Sequence, residues 1–598
     1  MFLRMRHIVD RGGSNRVLVR IRALLRSNEL YLIPLALLVG VVAGAVVTLM
    51  SEIAQLAHVL IFGIPIDVRL SANDHINPWA AMTAPAAGGL LLGLMEWWRR
   101  RLKISTAVDP IEANALRGGH LSMRDSTIVS WQTLISNGCG ASVGLEAGYT
   151  QIGSGIASLV GRFLNLRRND LRLMVGCGSA GAIAAAFGAP ITGAFYAFEL
   201  IFGVYSVASA APILAASLSA ALTAEWLGGA PYSIEVPHVH AVGLEQYLEL
   251  MGLALIAAAV GIAVMRSSSV FERLFKRSWL PVWIRPVIGG VCVGGMAIIT
   301  PQVLAAGHGA MLLNLQHQET IPRVIAMIIA LKVVACLISL ASGFRGGLFF
   351  ASLFVGAMIG KFYAVVLLLV NPAFAIDPLV SMLTGMATLG VAVVGGPLTM
   401  SFLVLEMTRS VDVTAVVLAG SIVTSICVRF MFGHSFSTWR LHLRGETIRS
   451  AADVGWLRNL TVERMMRSDA GKVPSTTTIA ATRREFALGS RQAVVVVNNA
   501  DEYVGLVMLP DLFSVDLDSI ADDIQVIELA KFLDVVLLPE MNVKTAMAAF
   551  DEAEAEVLAV VESADSRKVV GFLTESFARR RYVEEIDKAT RGVLGTLS

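Results

Sequence analysis

The sequence predicts an all-α polytopic membrane domain made of two inverted-topology repeats with broken helices, followed by a smaller tandem α/β domain. Three observations carry this reading. Hydrophobic residues make up 55% of the 598-residue chain against 16% charged, a balance foreign to soluble globular domains. Basic residues are distributed so that the two halves enter the membrane from opposite sides. One pattern also recurs, GAPITGAFYAFE at 188–199 and GGPLTMSFLVLE at 395–406, with Pro, Thr and Glu at matching offsets.

Apolar runs lie at 31–63, 78–98, 127–135, 152–163, 171–187, 191–205 and 210–226, then at 247–265, 287–300, 321–340, 348–369, 381–394, 398–407 and 413–432. Several are short for a hydrocarbon core of roughly 30 Å. Short, Gly- and Pro-interrupted segments read as broken or strongly tilted helices. The N-terminal Arg4, Arg6, Arg11, Arg16, Arg20, Arg22 and Arg26, and then Arg99, Arg100, Arg101 and Lys103, assign both flanking regions to the cytoplasm. The loop 228–243 has no Lys or Arg and belongs outside, and the next span descends to Arg266, Arg273, Lys276, Arg277 and Arg285. One half therefore starts inside and the other outside. The first span is too long for the apolar region of a secretory signal. A multi-pass integral protein of a bacterial inner membrane is expected, with both termini cytoplasmic.

Past residue 445 charge rises and the apolar runs shorten. Two similar stretches follow, each with a Pro (Pro474, Pro539), a β-branched run ending at Val497 or Val561, and a Gly (Gly505, Gly571) at nearly equal spacing. Helical stretches at 480–488 and 543–553 complete a duplicated α/β module. The boundaries are a cytoplasmic segment 1–29, a first repeat 30–227, a second repeat 244–445, and tail units 456–523 and 524–598. The five cysteines, Cys139, Cys177, Cys292, Cys336 and Cys427, are scattered singly. They form no metal or disulfide spacing and read as buried packing residues.

The chemistry concentrates in SNGCGASVGLEAGYTQIGSG at 136–155. Glu146 stands at the start of a membrane helix, where an ionisable group is costly and reads as functional. The glycines allow close backbone approach, and a helix beginning there aims free N–H groups at an anion. Together they indicate an anion pathway gated by a carboxylate; the competing reading is a structural helix cap. A cation or amino-acid transporter would want acidic or amide ligands at the midplane. An intramembrane enzyme would need a Ser/His, paired-Asp or HExxH constellation, whereas His7, His75, His238, His240 and His317 fall in loops, so no enzyme is expected.

On these residues the chain resembles the CLC family of chloride channels and proton-coupled chloride transporters, and its tail is similar to a CBS (Bateman-type) pair. GLEAGYTQIG at 144–153 is similar to the family's Gly-Arg/Lys-Glu-Gly-Pro motif with a downstream Gln-Ile-Gly. SGFRGGLFFASLFVG at 342–356 resembles its Gly-Gly-x-Phe element, and the two repeated Gly-x-Pro segments resemble its subunit-interface helices. The resemblance implies a homodimer in lipid with one pore per subunit. Its cargo would be chloride or another small anion such as fluoride or nitrate, with no nucleic acid partner and no required cofactor. Glu146 would gate, and backbone donors would come from Ala147, Gly148, Leu348 and Phe349.

The departures also carry information. Leu145 replaces the usual basic residue before the gate, and Ala147-Gly148 the usual Gly-Pro. STAVDPIEANAL at 105–116 occupies the place of the family's Gly-Ser-Gly-Ile-Pro, so either Ser105 or Thr106 would supply the hydroxyl. Asp109-Pro110 also has the form of an ordinary helix start. In HSFSTWRLH at 434–442 Phe436 takes the place of the pore tyrosine. Glu199 matches the structural first acid of the family's interface helix, but Leu200 follows where coupled transporters commonly carry a proton-relay acid. That is channel-like, with antiport as the alternative and Glu199 as its nearest proton carrier. In the tail the ribose-binding pattern Gly-x-x-Thr/Ser-x-x-Asp is split: Gly505 and Asp511 with Met508, Gly571 and Thr574 with Phe577. A structural pair and an adenosine-nucleotide site both remain open.

Overall fold

The computed structural model describes residues 31–73, 75–102, 107–203, 205, 207–229, 243–316, 321–372, 376–433, 439, 460–514 and 524–594. Ser105, Thr106 and Phe436 lie outside the described residues. The chain falls into two compact units, Met1–Asp453 and Val454–Ser598.

The regular elements described in the first unit are all helices. Its first half comprises α1 (Leu32–Phe62), α2 (Pro78–Arg101), α3 (Pro110–Leu116), α4 (Met123–Gly138), α5 (Glu146–Phe163), α6 (Arg168–Phe187), α7 (Pro190–Tyr196) and α8 (Val207–Trp226). The second half comprises α9 (Leu244–Arg277), α10 (Arg285–Ile299), α11 (His308–Gln316), α12 (Pro322–Ser342), α13 (Phe349–Val370), α14 (Pro378–Val394), α15 (Pro397–Thr408) and α16 (Val411–Met431). Seven of these are long and apolar enough to cross a membrane; α7, α10, α14 and α15 are shorter apolar helices. The sequence specifies most starts locally. Proline occupies the first turn of α2, α3, α7, α10, α12, α14 and α15. Asn77, Asp109, Ser122, Asp377 and Ser410 accept hydrogen bonds from the N–H groups they cap.

The same contacts are built twice. α5 meets α6 where Gly153 and Gly178 face each other, and a Cβ on either would stand 2.5 or 2.3 Å from the other's carbonyl oxygen. α13 meets α14 through Gly356 and Gly385, with 2.3 Å in both directions. Across the halves, a Cβ on Gly89 of α2 would reach Pro286 O at 2.3 Å, and one on Gly290 of α10 would reach Pro85 O at 2.3 Å. Small residues let these backbones touch, which is how membrane helices gain packing without a hydrophobic drive.

α7 runs on into a π-helical turn, Ala197–Phe202. Glu199 in that turn accepts from Leu398 N (3.0 Å), Thr399 N (2.8 Å) and Thr399 Oγ1 (2.6 Å) at the start of α15. Glu406 near the end of α15 accepts from Ile191 N (2.7 Å), Thr192 N (2.8 Å) and Thr192 Oγ1 (2.6 Å) at the start of α7. Two helices whose far ends cap each other's beginnings run antiparallel. The repeat is therefore inverted, as the charge pattern predicts. Cys139, Cys177 and Cys336 are buried, but Cys292 is exposed. It lies on the same stripe of α10 as exposed Ile299, two turns away, so the expectation of a buried packing role fails there.

In the second unit α17 (Val462–Met465), β1 (Lys472–Pro474), α18 (Ile479–Glu485), β2 (Ala493–Val497), β3 (Tyr503–Met508) and α19 (Leu509–Leu512) precede α20 (Val543–Ala553), β4 (Val557–Val561), β5 (Val569–Thr574) and α21 (Glu575–Leu594). β1 pairs parallel with β2 and β2 antiparallel with β3, while β4 pairs antiparallel with β5. Val495, Val497 and Leu506 share one cluster with Val557, Ala559 and Val561, so the two sheets bury their faces together. The tandem units are present, but they exchange their leading turns. Val462 packs with Val543 and Phe550 of the second unit, and Val526 with Val473 and Ile479 of the first. The backbone mirrors this: Val462 N donates to Met541 O and Val526 N to Thr477 O, both 2.8 Å.

Candidate anion site

The starts of α5 and α13 meet head on. Gly144 N donates to Gly347 O at 3.0 Å and Gly347 N to Gly144 O at 3.1 Å, a two-residue bridge joining the halves. The N-cap positions are Leu145 and Leu348, and neither side chain can accept a hydrogen bond. No side chain at either N-cap position therefore serves the first-turn N–H groups of these two helices. Glycine at 144 and 347 is what lets a third group approach this bridge.

That group is the Glu146 side chain, which folds back over its own helix start. A Cβ built on Gly144 would stand 1.9 Å from Glu146 Oε2, and one on Gly347 would stand 3.2 Å from the same atom. The N–H groups of Glu146 and Phe350 face the carboxylate, yet Oε2 closes no hydrogen bond among the described residues. The residue is 5% exposed. A carboxylate held by dipoles rather than by a saturated set of bonds can be exchanged for another anion.

Glu146 also divides two cavities, lining both, with Leu145 on one side and Ala147 on the other. The first cavity carries Ser51, Glu52, Gln55, His58, Arg69, Tyr149 and His308. Gln55 donates to Ile66 O (3.0 Å) and Val68 O (2.8 Å) and accepts from Arg69 at 3.4 Å, so the α1–α2 connection is tied over this opening. His58 Nε2 lies 2.9 Å from Asn137 O, and the His308 ring stacks on Phe350 at 3.7 Å. The second cavity carries Asp109, Thr133, Thr150, Gln151, Tyr196 and Arg345 beside Gly347, Leu348 and Phe349. Gln151 Nε2 donates to Val108 O at 2.9 Å, which holds the approach to α3 against α5, and Arg345 N donates to Ser136 Oγ at 3.0 Å.

Of the residues expected from sequence, Glu146, Ala147, Leu348 and Phe349 come together here. Gly148 does not line the cavity. A Cβ there would meet Thr133 at 3.0 Å, and its carbonyl accepts from Ser130 Oγ at 3.1 Å, so it packs on α4. Asp109 is the helix cap anticipated, accepting from Ile111 N at 2.7 Å. Glu199 has both oxygens engaged by α15, and Leu200 is buried in the π-helical turn. In the tail Asp511 pairs with Lys531 at 2.8 Å, and Thr574 ends β5 opposite Val557. Sequence reasoning missed His58, Arg69, His308, Tyr196 and Arg345. Arg345 had a signal, a charge inside the apolar SGFRGGLFF, and so did Tyr196, a hydroxyl inside GAPITGAFYAFE. The others are brought in only by tertiary packing.

Inverted helical halves meeting at two uncapped helix starts, with one buried carboxylate between, define a membrane protein built to pass anions. The chain belongs to the CLC family: the family model described as voltage gated chloride channel matches residues 87–429. A protein of Ralstonia nicotianae named as ClcB-like is 32% identical over 353 residues, covering 58% of this chain and 82% of the relative. The structure of a slow cyanobacterial Cl-/H+ antiporter matches with TM-score 0.59 at 21% identity, covering 69% of this chain and 97% of its own. That of a eukaryotic CLC transporter matches with TM-score 0.56 at 17% identity over 93% of this chain and 98% of its own, a span that takes in the CBS-type tail. At these identities the structural likenesses concern the fold. The protein is an integral membrane member of an anion-transporting family.

Proposed function

We propose that this chain conducts chloride passively through one pathway in each subunit of a homodimer, with the Glu146 carboxylate as the gate. The observation that carries the reading is the seat of that carboxylate, between two uncapped helix N-termini and between two cavities. The energetics are balanced. A charge at membrane depth costs roughly 2.5–3.5 kcal/mol on insertion scales, while each helix N-terminus returns up to about 2 kcal/mol in a partly buried geometry. Two helix ends thus offset the cost without locking the side chain in place. A chloride ion presents the same charge to the same N–H groups, so it competes for the seat. Protonation removes the charge and frees the carboxyl to swing aside.

In this reading the first cavity faces outside, because it reaches Gly229 at the edge of the loop that lacks Lys and Arg. The Arg345 cavity faces the cytoplasm, as do both termini. Passive flow is favoured by Leu200, an aliphatic group where a proton relay would need an acid, and by Glu199, whose oxygens are spent on α15. Fluoride and nitrate are the competing cargoes. In the tail an adenosine nucleotide would contact Asp511 and Thr574, and the Asp511–Lys531 pair would have to open for it.

The test is the reversal potential of reconstituted protein under opposed chloride and proton gradients. A value that follows chloride alone supports passive conduction. A shift with the proton gradient replaces it with chloride/proton antiport.

A further inference from the structure

The second cavity holds three side-chain hydroxyls near the gate, and they are not equivalent. Thr133 Oγ1 donates to Val129 O at 2.8 Å, one turn back in α4. Thr150 Oγ1 donates to Glu146 O at 3.0 Å and lies 3.4 Å from Ala147 O. Both protons are therefore spent on helix carbonyls, the usual fate of Thr inside a helix. Tyr196 differs in kind. It closes α7 just before the π-helical turn, and its half-buried ring stands against Phe349 with centroids 6.2 Å apart. The ring is thus fixed at the uncapped start of α13. Its hydroxyl faces Thr150, within the fields of Glu146 and Asp109, and makes no backbone hydrogen bond among the described residues.

We propose that Tyr196 is an anion-coordinating residue, whose phenol O–H donates to a chloride-sized ion lodged in the second cavity beside the N–H groups that open α13. This rests on the reading of Glu146 as the gate of the same pathway and adds to it a side-chain hydroxyl donor, the hydroxyls of Thr133 and Thr150 being engaged by helix carbonyls. The chemistry suits a halide. Backbone N–H groups at a helix start provide a fixed cradle, and one rotatable O–H adapts to ionic radius. The O–H can return to Thr150 when the site empties, so the free state carries no stranded polar group. A rigid ring on Phe349 sets how far the hydroxyl reaches, which makes this residue a determinant of selectivity among small anions as well as of affinity.

Tyr196→Phe keeps the ring and its packing and removes only the donor. In proteoliposome efflux, the chloride concentration giving half-maximal flux is expected to rise roughly tenfold, the usual consequence of losing a hydrogen bond to a charged partner. The chloride-to-nitrate flux ratio is expected to fall with it, since the larger, diffuse anion depends less on a single directed donor. Tyr196→Leu, which removes ring and donor, should show at least the same change in half-saturation. Unchanged half-saturation and flux ratio in Tyr196→Phe, while Glu146→Gln still alters flux, would overturn the assignment of Tyr196 alone. No change in either Tyr196→Phe or Glu146→Gln would overturn the gating reading as well.

Discussion

Gly144 and Gly347 exchange backbone hydrogen bonds of 3.0 and 3.1 Å at the meeting point of the two inverted halves, and the Glu146 carboxylate rests against both glycines. The bridge holds the starts of α5 and α13 in register, so the carboxylate faces N–H groups from both repeats at once. In the proposed reading, gating and fold symmetry are one feature. A Cβ at position 144 would displace the Glu146 carboxylate, while one at position 347 would only crowd it.

Gly144→Ala is the sharpest test of that seat. The nearest atoms to an added methyl are Glu146 Oε2, Cδ and Oε1 at 1.9, 2.6 and 2.7 Å, all at the end of a flexible side chain. The backbone tolerates alanine there, since Gly144 is not among the glycines with positive φ. The variant is expected to fold and to leak chloride several-fold faster than wild type at neutral pH. Gly347→Ala, with 3.2 Å to Oε2, should leak less. Equal, wild-type efflux from both would place the carboxylate elsewhere.

Glu199 and Glu406 should behave as a matched structural pair. Each accepts three hydrogen bonds at the start of the other repeat's helix. Glu199→Gln and Glu406→Gln are each expected to cost about 1–2 kcal/mol of stability, read as similar drops in thermal midpoint by tryptophan fluorescence in detergent. Neither should move the reversal potential. A change in Glu199→Gln that Glu406→Gln does not share would make Glu199 a proton carrier.

Much of this was legible in the sequence where local chemistry decides. Proline at N1 with an Asx or Ser cap marks α2, α3 and α14, and the matching Pro-to-Glu spacing reveals the pair α7 and α15 before any contact is seen. Glu146 stands out because a charge in an apolar run has no cheap explanation. What could not be read depends on distant segments meeting. Arg69 reaches the first cavity through Gln55, and His308 arrives by stacking on Phe350. Gly148 follows Glu146 in the motif, yet its Cα faces Thr133 and it lines neither cavity. In the tail, contiguous repeats suggest closed modules, whereas Val462 and Val526 are traded between them because each leading turn completes the other's core.

Removal of the tail after residue 455 should leave the proposed homodimer intact. The tail has its own cores, and the proposed subunit contact lies on α7, α8, α15 and α16, where Ile191, Leu214, Leu218, Ile422 and Ile426 are exposed apolar residues. Native mass spectrometry in mild detergent should show dimers of the truncated chain. Monomers would transfer the interface to the CBS-type pair.

The seat of Glu146 is tested most directly by chloride efflux from proteoliposomes bearing Glu146→Gln, measured across external pH. Glutamine keeps the shape and carries no charge, so it stands in permanently for the protonated gate. Efflux is expected to exceed wild type at neutral pH and to lose its dependence on external pH. Wild-type efflux with wild-type pH dependence would mean that the carboxylate only caps α5, and that the pathway is gated by another residue.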